Sequence, residues 1–211
     1  MERSDAPAER TTGIGLRLTI FAMAAVAIVG LVSLLAWGLA TRQPVTGLSG
    51  LTLIDKPAPD FALTTFDGQE LVLSELIGAP IIINFWASWC FPCREEARGL
   101  ERTWREYQDR NVFFIGVAVQ DSEESSRSYL SEFDVTYPNA PDLDGTVSVD
   151  YGIVGMPATF FVNRDGIVES RWVGAIPESR LLERVDALAA GRPLPGDAEA
   201  VNEDSLFELD R

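Results

Sequence analysis

Ile81-Ile82-Ile83-Asn84-Phe85-Trp86-Ala87-Ser88-Trp89-Cys90-Phe91-Pro92-Cys93 is the stretch on which the reading of this chain turns. Its first half is a near-continuous apolar run behind Pro80, the pattern of a strand buried on both faces of a sheet. Its second half sets two thiols three residues apart where that strand gives way to a helix. Cys90 then falls at or before the first helical turn and Cys93 within it, close enough to bond. The unsatisfied N–H groups and the macrodipole of the helix start favour a thiolate at Cys90. Pro92 suits an early helical position, where its missing donor is no loss. Cys90 is therefore the expected nucleophile, and Cys93, shielded by the turn, the thiol that resolves a mixed disulfide.

Other uses of the pair stay open on the residues alone. A structural disulfide is common in exported domains, although such bonds usually join distant segments, and closing so short a loop contributes little entropy. Two buried cysteines can also serve as small hydrophobes. A structural zinc site needs four Cys or His ligands, whereas the chain has 2 Cys and no His, so no metal site is expected. The missing imidazole also removes Ser-His-Asp triads and His-ligated haem. With a net charge of -15 and a single lysine, Lys56, nucleic acid is not an expected partner.

Working outward, strands and helices alternate. Phe61–Thr65, an Asp67-Gly68 turn and Glu70–Leu73 read as an N-terminal hairpin. A helix from about Cys93 to Arg110 follows the first buried strand, then a second buried strand from Val112 to Val119. Asp121–Phe133 reads as a polar, surface-facing helix. After a loop marked by Pro138, Pro141 and Gly145 come a strand from Ala158 to Asn163, a turn at Arg164-Asp165-Gly166, and an antiparallel partner from Ile167 to Val173. Pro177–Ala190 closes the domain as an amphipathic helix with Leu181, Leu182, Val185 and Leu188 on one face. The order predicts an α/β sandwich with a mixed central sheet, built from residues 56–190.

Ahead of this domain, Leu18–Ala40 runs for twenty-three residues without a charge. At ~1.5 Å per residue it reaches roughly 34 Å, enough for a bilayer core of ~30 Å. A transmembrane anchor is expected over 18–40, with a cleaved signal ending near Gly38-Leu39-Ala40 as the alternative. Arg3, Arg10 and Arg17 before it, against Arg42 and Lys56 after it, place residues 1–17 in the cytoplasm. After residue 42 the chain keeps 13 basic and 29 acidic side chains. That acidic domain is expected outside the cytoplasm, in a potentially oxidising compartment and joined to the membrane by a tether over 41–55. Gly191–Arg211, with six acids and two arginines, reads as a solvated acidic tail.

The segment Asn84 to Glu96 resembles the active site of thioredoxin-fold proteins, and more narrowly the bacterial membrane-anchored TlpA, ResA and CcmG group of thiol–disulfide oxidoreductases. Tyr151-Gly152-Ile153-Val154-Gly155-Met156-Pro157-Ala158-Thr159-Phe160-Phe161 resembles the cis-proline segment of the same group. The resemblance covers about Lys56 to Ala190. It implies a three-layer thioredoxin-like sandwich with an inserted helix near 121–141, and a cis Met156-Pro157 bond that positions a substrate strand beside Cys90. Where thioredoxins carry a buried aspartate this chain has Asn84, which cannot titrate. Glu96, three residues after Cys93, matches the glutamate of ResA-like proteins and is the expected acid/base; a solvated glutamate like Glu95 is the alternative. Trp89, Phe91 and Pro92 are expected to touch the partner together with Met156 and Pro157, while Trp86 is packing.

The implied activity is reduction of a protein disulfide, such as the CxxCH segment of apocytochrome c, by electrons from a membrane thiol carrier. No cofactor beyond the Cys90–Cys93 pair is implied. A disulfide oxidant is the rival within enzymes. A thioredoxin-fold metallochaperone or binding module is the rival of another class, but copper carriers of this fold use CxxxC and a histidine. A thiol peroxidase needs a Thr where Ala87 stands. Some CcmG-type proteins carry an acid where Ala158 stands, which separates this chain from that subgroup.

Overall fold

In the computed structural model, residues 12–40 and 53–195 are described. The chain divides into two units, Met1–Thr46 and Gly47–Arg211. In the first, the backbone of Thr12–Ala40 is one helix, α1. Its side chains are described at positions 20–34, and all of these are exposed. Among the described residues no helix is long and apolar enough to cross a membrane. The expected 18–40 span extends past the described side chains at both ends. Much of the expected N-terminal segment, tether and tail, at 1–11, 41–52 and 196–211, also lies outside the described residues.

In the second unit, β1 (Ala62–Thr64) and β2 (Glu70–Val72) form the expected antiparallel hairpin. The central sheet holds β3 (Ile81–Trp86), β4 (Phe113–Val119), β5 (Asn139–Asp142), β6 (Ala158–Val162) and β7 (Val168–Val173), in the order β5-β4-β3-β6-β7. Strands β3, β4 and β5 are parallel; β6 and β7 are antiparallel to their neighbours. The apolar run that suggested a two-faced buried strand sits at the centre, with every residue of β3 buried.

The period of two along β3 divides its side chains between two layers. Ile81, Ile83 and Phe85 join one core with Phe61, Leu71 and Leu73 of the hairpin segment, Val147 and Tyr151. Ile82 faces the other layer, where Leu100 and Tyr107 of α2 (Phe91–Tyr107) pack with Leu181, Val185 and Leu188 of α5 (Glu178–Ala189). Asn84 and Trp86 share the orientation of Ile82, which aims them at the start of α2.

One expectation needs correction. The loop read around Pro138, Pro141 and Gly145 contains β5 and the short α4 (Thr146–Asp150). Pro141 pairs opposite Ala118 at the sheet edge, a place where a strand tolerates a residue without N–H. The buried Asp142 carboxylate starts α4, accepting from the Val147 and Ser148 amides at 3.3 and 2.8 Å. The helix expected to face solvent, α3 (Glu123–Glu132), is mostly exposed as expected, and on its inner side Ser126 and Tyr129 are buried, with Phe133 following into the cluster around the cysteines.

Candidate active site

At the end of β3 the chain makes a turn closed by the Cys90 amide donating to the Ala87 carbonyl at 3.1 Å. Asp121, just past β4, holds this turn by accepting from the Ser88 amide (2.7 Å) and hydroxyl (2.9 Å). The Trp89 indole donates to the Gln120 carbonyl at 3.1 Å. Cys90 is then the N-cap of α2, in extended backbone conformation, and its sulfur accepts from the Cys93 amide at 3.3 Å. That bond puts one of the otherwise unsatisfied N–H groups of the helix start on the first sulfur, which favours negative charge there.

The two cysteines are joined in a disulfide with their Cα atoms 5.3 Å apart. Cys90 keeps 5% of its surface exposed and Cys93 none, so Cys90 is the one an incoming sulfur can reach. Around it Trp89 and Phe91 are 61% and 70% exposed, and Pro92 is exposed beside them. The Met156–Pro157 peptide is cis. Met156 is partly buried against the cluster holding both cysteines, and Pro157 is buried behind it, its carbonyl accepting from Gly174 at 2.8 Å.

One turn along α2 from Cys93, Glu96 is buried while its neighbour Glu95 is exposed, which separates the two roles the sequence left open. Asn84 donates to Glu96 Oε1 at 2.8 Å and the Ile176 amide donates to Oε2 at 2.8 Å. Burial pushes the Glu96 carboxyl up to about 7, against the opposing pull of those two hydrogen bonds. Asn84 also donates to Thr159 Oγ1 at 3.0 Å. The sequence showed Asn84 only as a residue unable to titrate. Its amide instead orients the carboxyl, and the Ile176 contact, being backbone, leaves no side-chain signal at all.

Tyr129 is the other residue that sequence reading missed. It stacks on Trp86 at 4.2 Å between ring centroids and 18° between planes, and its hydroxyl donates to the Cys93 carbonyl at 3.0 Å. Burial holds its phenol well above the ordinary tyrosine value, so it stays a neutral donor. Arg94 reaches from α2 across the Phe133 ring, 4.9 Å from its centroid, to pair with Glu132 at 2.5 Å. Trp86 in turn donates to Asn139 Oδ1 at 2.8 Å. The apolar spacing Tyr129-Leu130-Phe133, i, i+1 and i+4, was the available sign that α3 has a buried face. Among the described residues no cluster of three or more Cys, Asp or Glu is arranged to hold a metal ion.

Comparison with known proteins places this geometry. The sequence pattern of the AhpC/TSA family matches residues 54–171. The thiol-disulfide oxidoreductase ResA of Oceanobacillus iheyensis is 34% identical over 128 residues, covering 59% of this chain and 67% of that protein. The thiol:disulfide interchange protein DsbE of Pseudomonas fluorescens biotype C is 33% identical over 128 residues, 60% of this chain and 70% of that one. A secreted Mycobacterium tuberculosis disulfide oxidoreductase, described as homologous to E. coli DsbE, superposes with a TM-score of 0.57 at 28% identity, covering 61% of this chain and 96% of that structure.

Proposed function

We propose that this chain, which belongs to the AhpC/TSA family and is a thiol–disulfide oxidoreductase of the ResA/DsbE type, works as a membrane-tethered reductant of protein disulfides outside the cytoplasm. In the reduced enzyme the Cys90 thiolate attacks one sulfur of a substrate disulfide. A mixed disulfide forms and the other substrate sulfur leaves as a thiolate. Glu96 takes the proton of the Cys93 thiol; the Cys93 thiolate attacks Cys90 Sγ, the bond to substrate breaks, and the second substrate thiolate departs. The substrate gains two electrons, and the enzyme ends as the Cys90–Cys93 disulfide. Trp89, Phe91, Pro92, Met156 and Pro157 form the rim against which the substrate segment lies.

The observation that carries this reading is Glu96: a carboxyl held near neutrality by burial, one helical turn from the cysteine that must lose a proton. The tether rests on Leu18–Ala40, whose length and lack of charge suit a bilayer and whose side chains at positions 20–34 are exposed. The flanking arginines put the acidic domain on the outer face, with 41–55 as spacer and 191–211 as a solvated tail. An apocytochrome c CxxCH segment, reduced with electrons from a membrane thiol carrier, is the substrate that fits a ResA-type enzyme there.

The reduction potential tests the direction. A value near the ≈ −270 mV of thioredoxin supports a reductant, and one near the ≈ −120 mV of strong oxidants removes it. Cys93→Ala should trap disulfide-linked partners through Cys90 in cells, whereas Cys90→Ala should trap none. The full chain should sediment with membranes and a chain lacking residues 1–40 should not.

A further inference from the structure

Glu96 has an outlet that its role in disulfide exchange does not use. A pocket of about 230 Å³ opens between α2 and the start of α5, lined by Glu95, Glu96, Gly99, Arg102, Ile176 and Glu178 among others. It shares no lining residue with the rim of Trp89, Phe91, Met156 and Pro157. Gly99 is what keeps it open on the α2 side: a Cβ there would stand 3.4 Å from Glu178 Cβ, so anything longer enters the pocket or pushes on α5. At its edge Arg102 and Glu178 form a two-pronged pair, Nε to Oε1 at 2.7 Å and Nη2 to Oε2 at 2.5 Å.

We propose that this pocket is the proton port of the enzyme, through which Glu96 exchanges with solvent while the rim around Cys90 is covered by a bound substrate. The inference rests on the reading of Glu96 as the group that takes the Cys93 proton. Oxidation of the pair leaves the Cys93 proton on Glu96, and reduction of the pair calls for a proton at Cys93, so between the two half-reactions the charge of the carboxyl is set by its exchange with solvent. On the inner side, Oε1 meets only Asn84, itself backed by Thr159; both are buried, and neither carries a titratable proton. Oε2 is held by the amide of Ile176, a residue of the pocket wall, so the carboxyl presents that oxygen to the port. A water needs room of ~30 Å³, and the pocket has space for several. The charged groups facing the port are Glu95 and Arg102 from α2 and Glu178 from α5. From α3 and the segment before β5, Tyr129 and Tyr137 also feel the Glu96 charge, and burial keeps both phenols protonated. In the step itself, the Glu96 proton passes to pocket water and then to buffer and the carboxylate is regenerated; the same path returns a proton before Cys93 is freed again as a thiol, and no electrons move in either direction.

Chemical rescue with formate tests the port. Single-turnover reduction of a peptide disulfide is followed in full-length Glu96→Ala, where the lost carboxyl leaves Asn84 Nδ2 and the Ile176 amide free to hold formate. Glu96→Ala should slow the reaction about 100-fold at pH 7, and formate should restore about tenfold, saturably. In Glu96→Ala/Gly99→Leu the restoration should fall below about twofold, whereas Glu96→Ala/Gly99→Ala should be rescued like Glu96→Ala alone. Gly99→Val, which fills less of the pocket, serves if leucine displaces α5, as judged by circular dichroism. Equal rescue with Gly99 filled, or no rescue of a slow Glu96→Ala enzyme, would overturn the port and leave Glu96 in its role. A Glu96→Ala enzyme of undiminished rate would remove Glu96 from the mechanism and the port with it.

Discussion

Replacing Glu96 by glutamine should stabilise the oxidised protein at alkaline pH relative to wild type, and the size follows from the site. The carboxyl is buried and titrates near 7 in the native state, against 4.5 when exposed. Between those values the native chain holds a proton that the unfolded chain has released, so stability falls as pH rises through this window. The contribution is fully present below about pH 4.5 and gone above about pH 7. The loss is about 3 kcal/mol, because each pH unit between the two values weakens the folded state by about 1.4 kcal/mol. Glutamine keeps the shape and one of the two acceptor bonds, to Asn84 or Ile176, and has no proton to lose; it mimics the protonated acid at every pH. Guanidinium unfolding of wild type and Glu96→Gln at pH 5 and pH 8.5 measures the difference, with equal slopes required for the comparison. The gap between the two proteins should shift by about 3 kcal/mol in favour of glutamine from the lower to the higher pH. A gap that moves by less than about 1 kcal/mol, or in the other direction, refutes the buried, near-neutral carboxyl.

Tyr129→Phe keeps the stack on Trp86 but loses the hydroxyl bond to the Cys93 carbonyl, and should lower stability by about 1 kcal/mol with an unchanged denaturant slope. Gly116→Ala should cost about 3 kcal/mol and alter the near-UV circular dichroism of Trp86. Its Cβ would fall on Asn139 Oδ1 and come within 2.9 Å of Trp86 Nε1, parting that hydrogen-bonded pair. Asp121→Ala leaves the Ser88 amide and hydroxyl without their acceptor and should cost about 2 kcal/mol, read as a shift of the urea midpoint. Trp89→Ala and Phe91→Ala, both at exposed positions, should change stability by less than about 0.5 kcal/mol while raising KM for a protein disulfide about tenfold.

The parts legible in the sequence are those whose signal is local. The strand Ile81–Trp86 was read with its observed bounds because six consecutive buried residues leave a run that nothing else explains. The hairpin, the turn before β7 and the closing helix were readable from Asp-Gly turns and a 3.6-residue apolar period. β5 escapes a reading of the sequence because Pro141 within it and Pro138 just before it read as breakers, and only pairing to β4 at a sheet edge makes Pro141 harmless. α3 is the polar surface helix that its composition predicts, and what that composition hides is Tyr129, which carries a stack and a hydrogen bond at the active site.

The sequence by itself determined the chemistry available: two thiols at a strand-to-helix junction, no imidazole, and a carboxylate one turn further on. Spacing along one helix is enough to bring Cys90, Cys93 and Glu96 together, since three residues make about one turn. What only the tertiary structure decided is the environment that sets their behaviour. Glu96 and Glu95 are adjacent and chemically identical, and one lies under Asn84 and Ile176 while the other meets water. Those contacts come from positions 12 and 80 residues away along the chain. No local pattern encodes such a meeting: the sheet order that carries β3 to the centre creates it, and with it the desolvation that turns an ordinary glutamate into a group that titrates near neutrality.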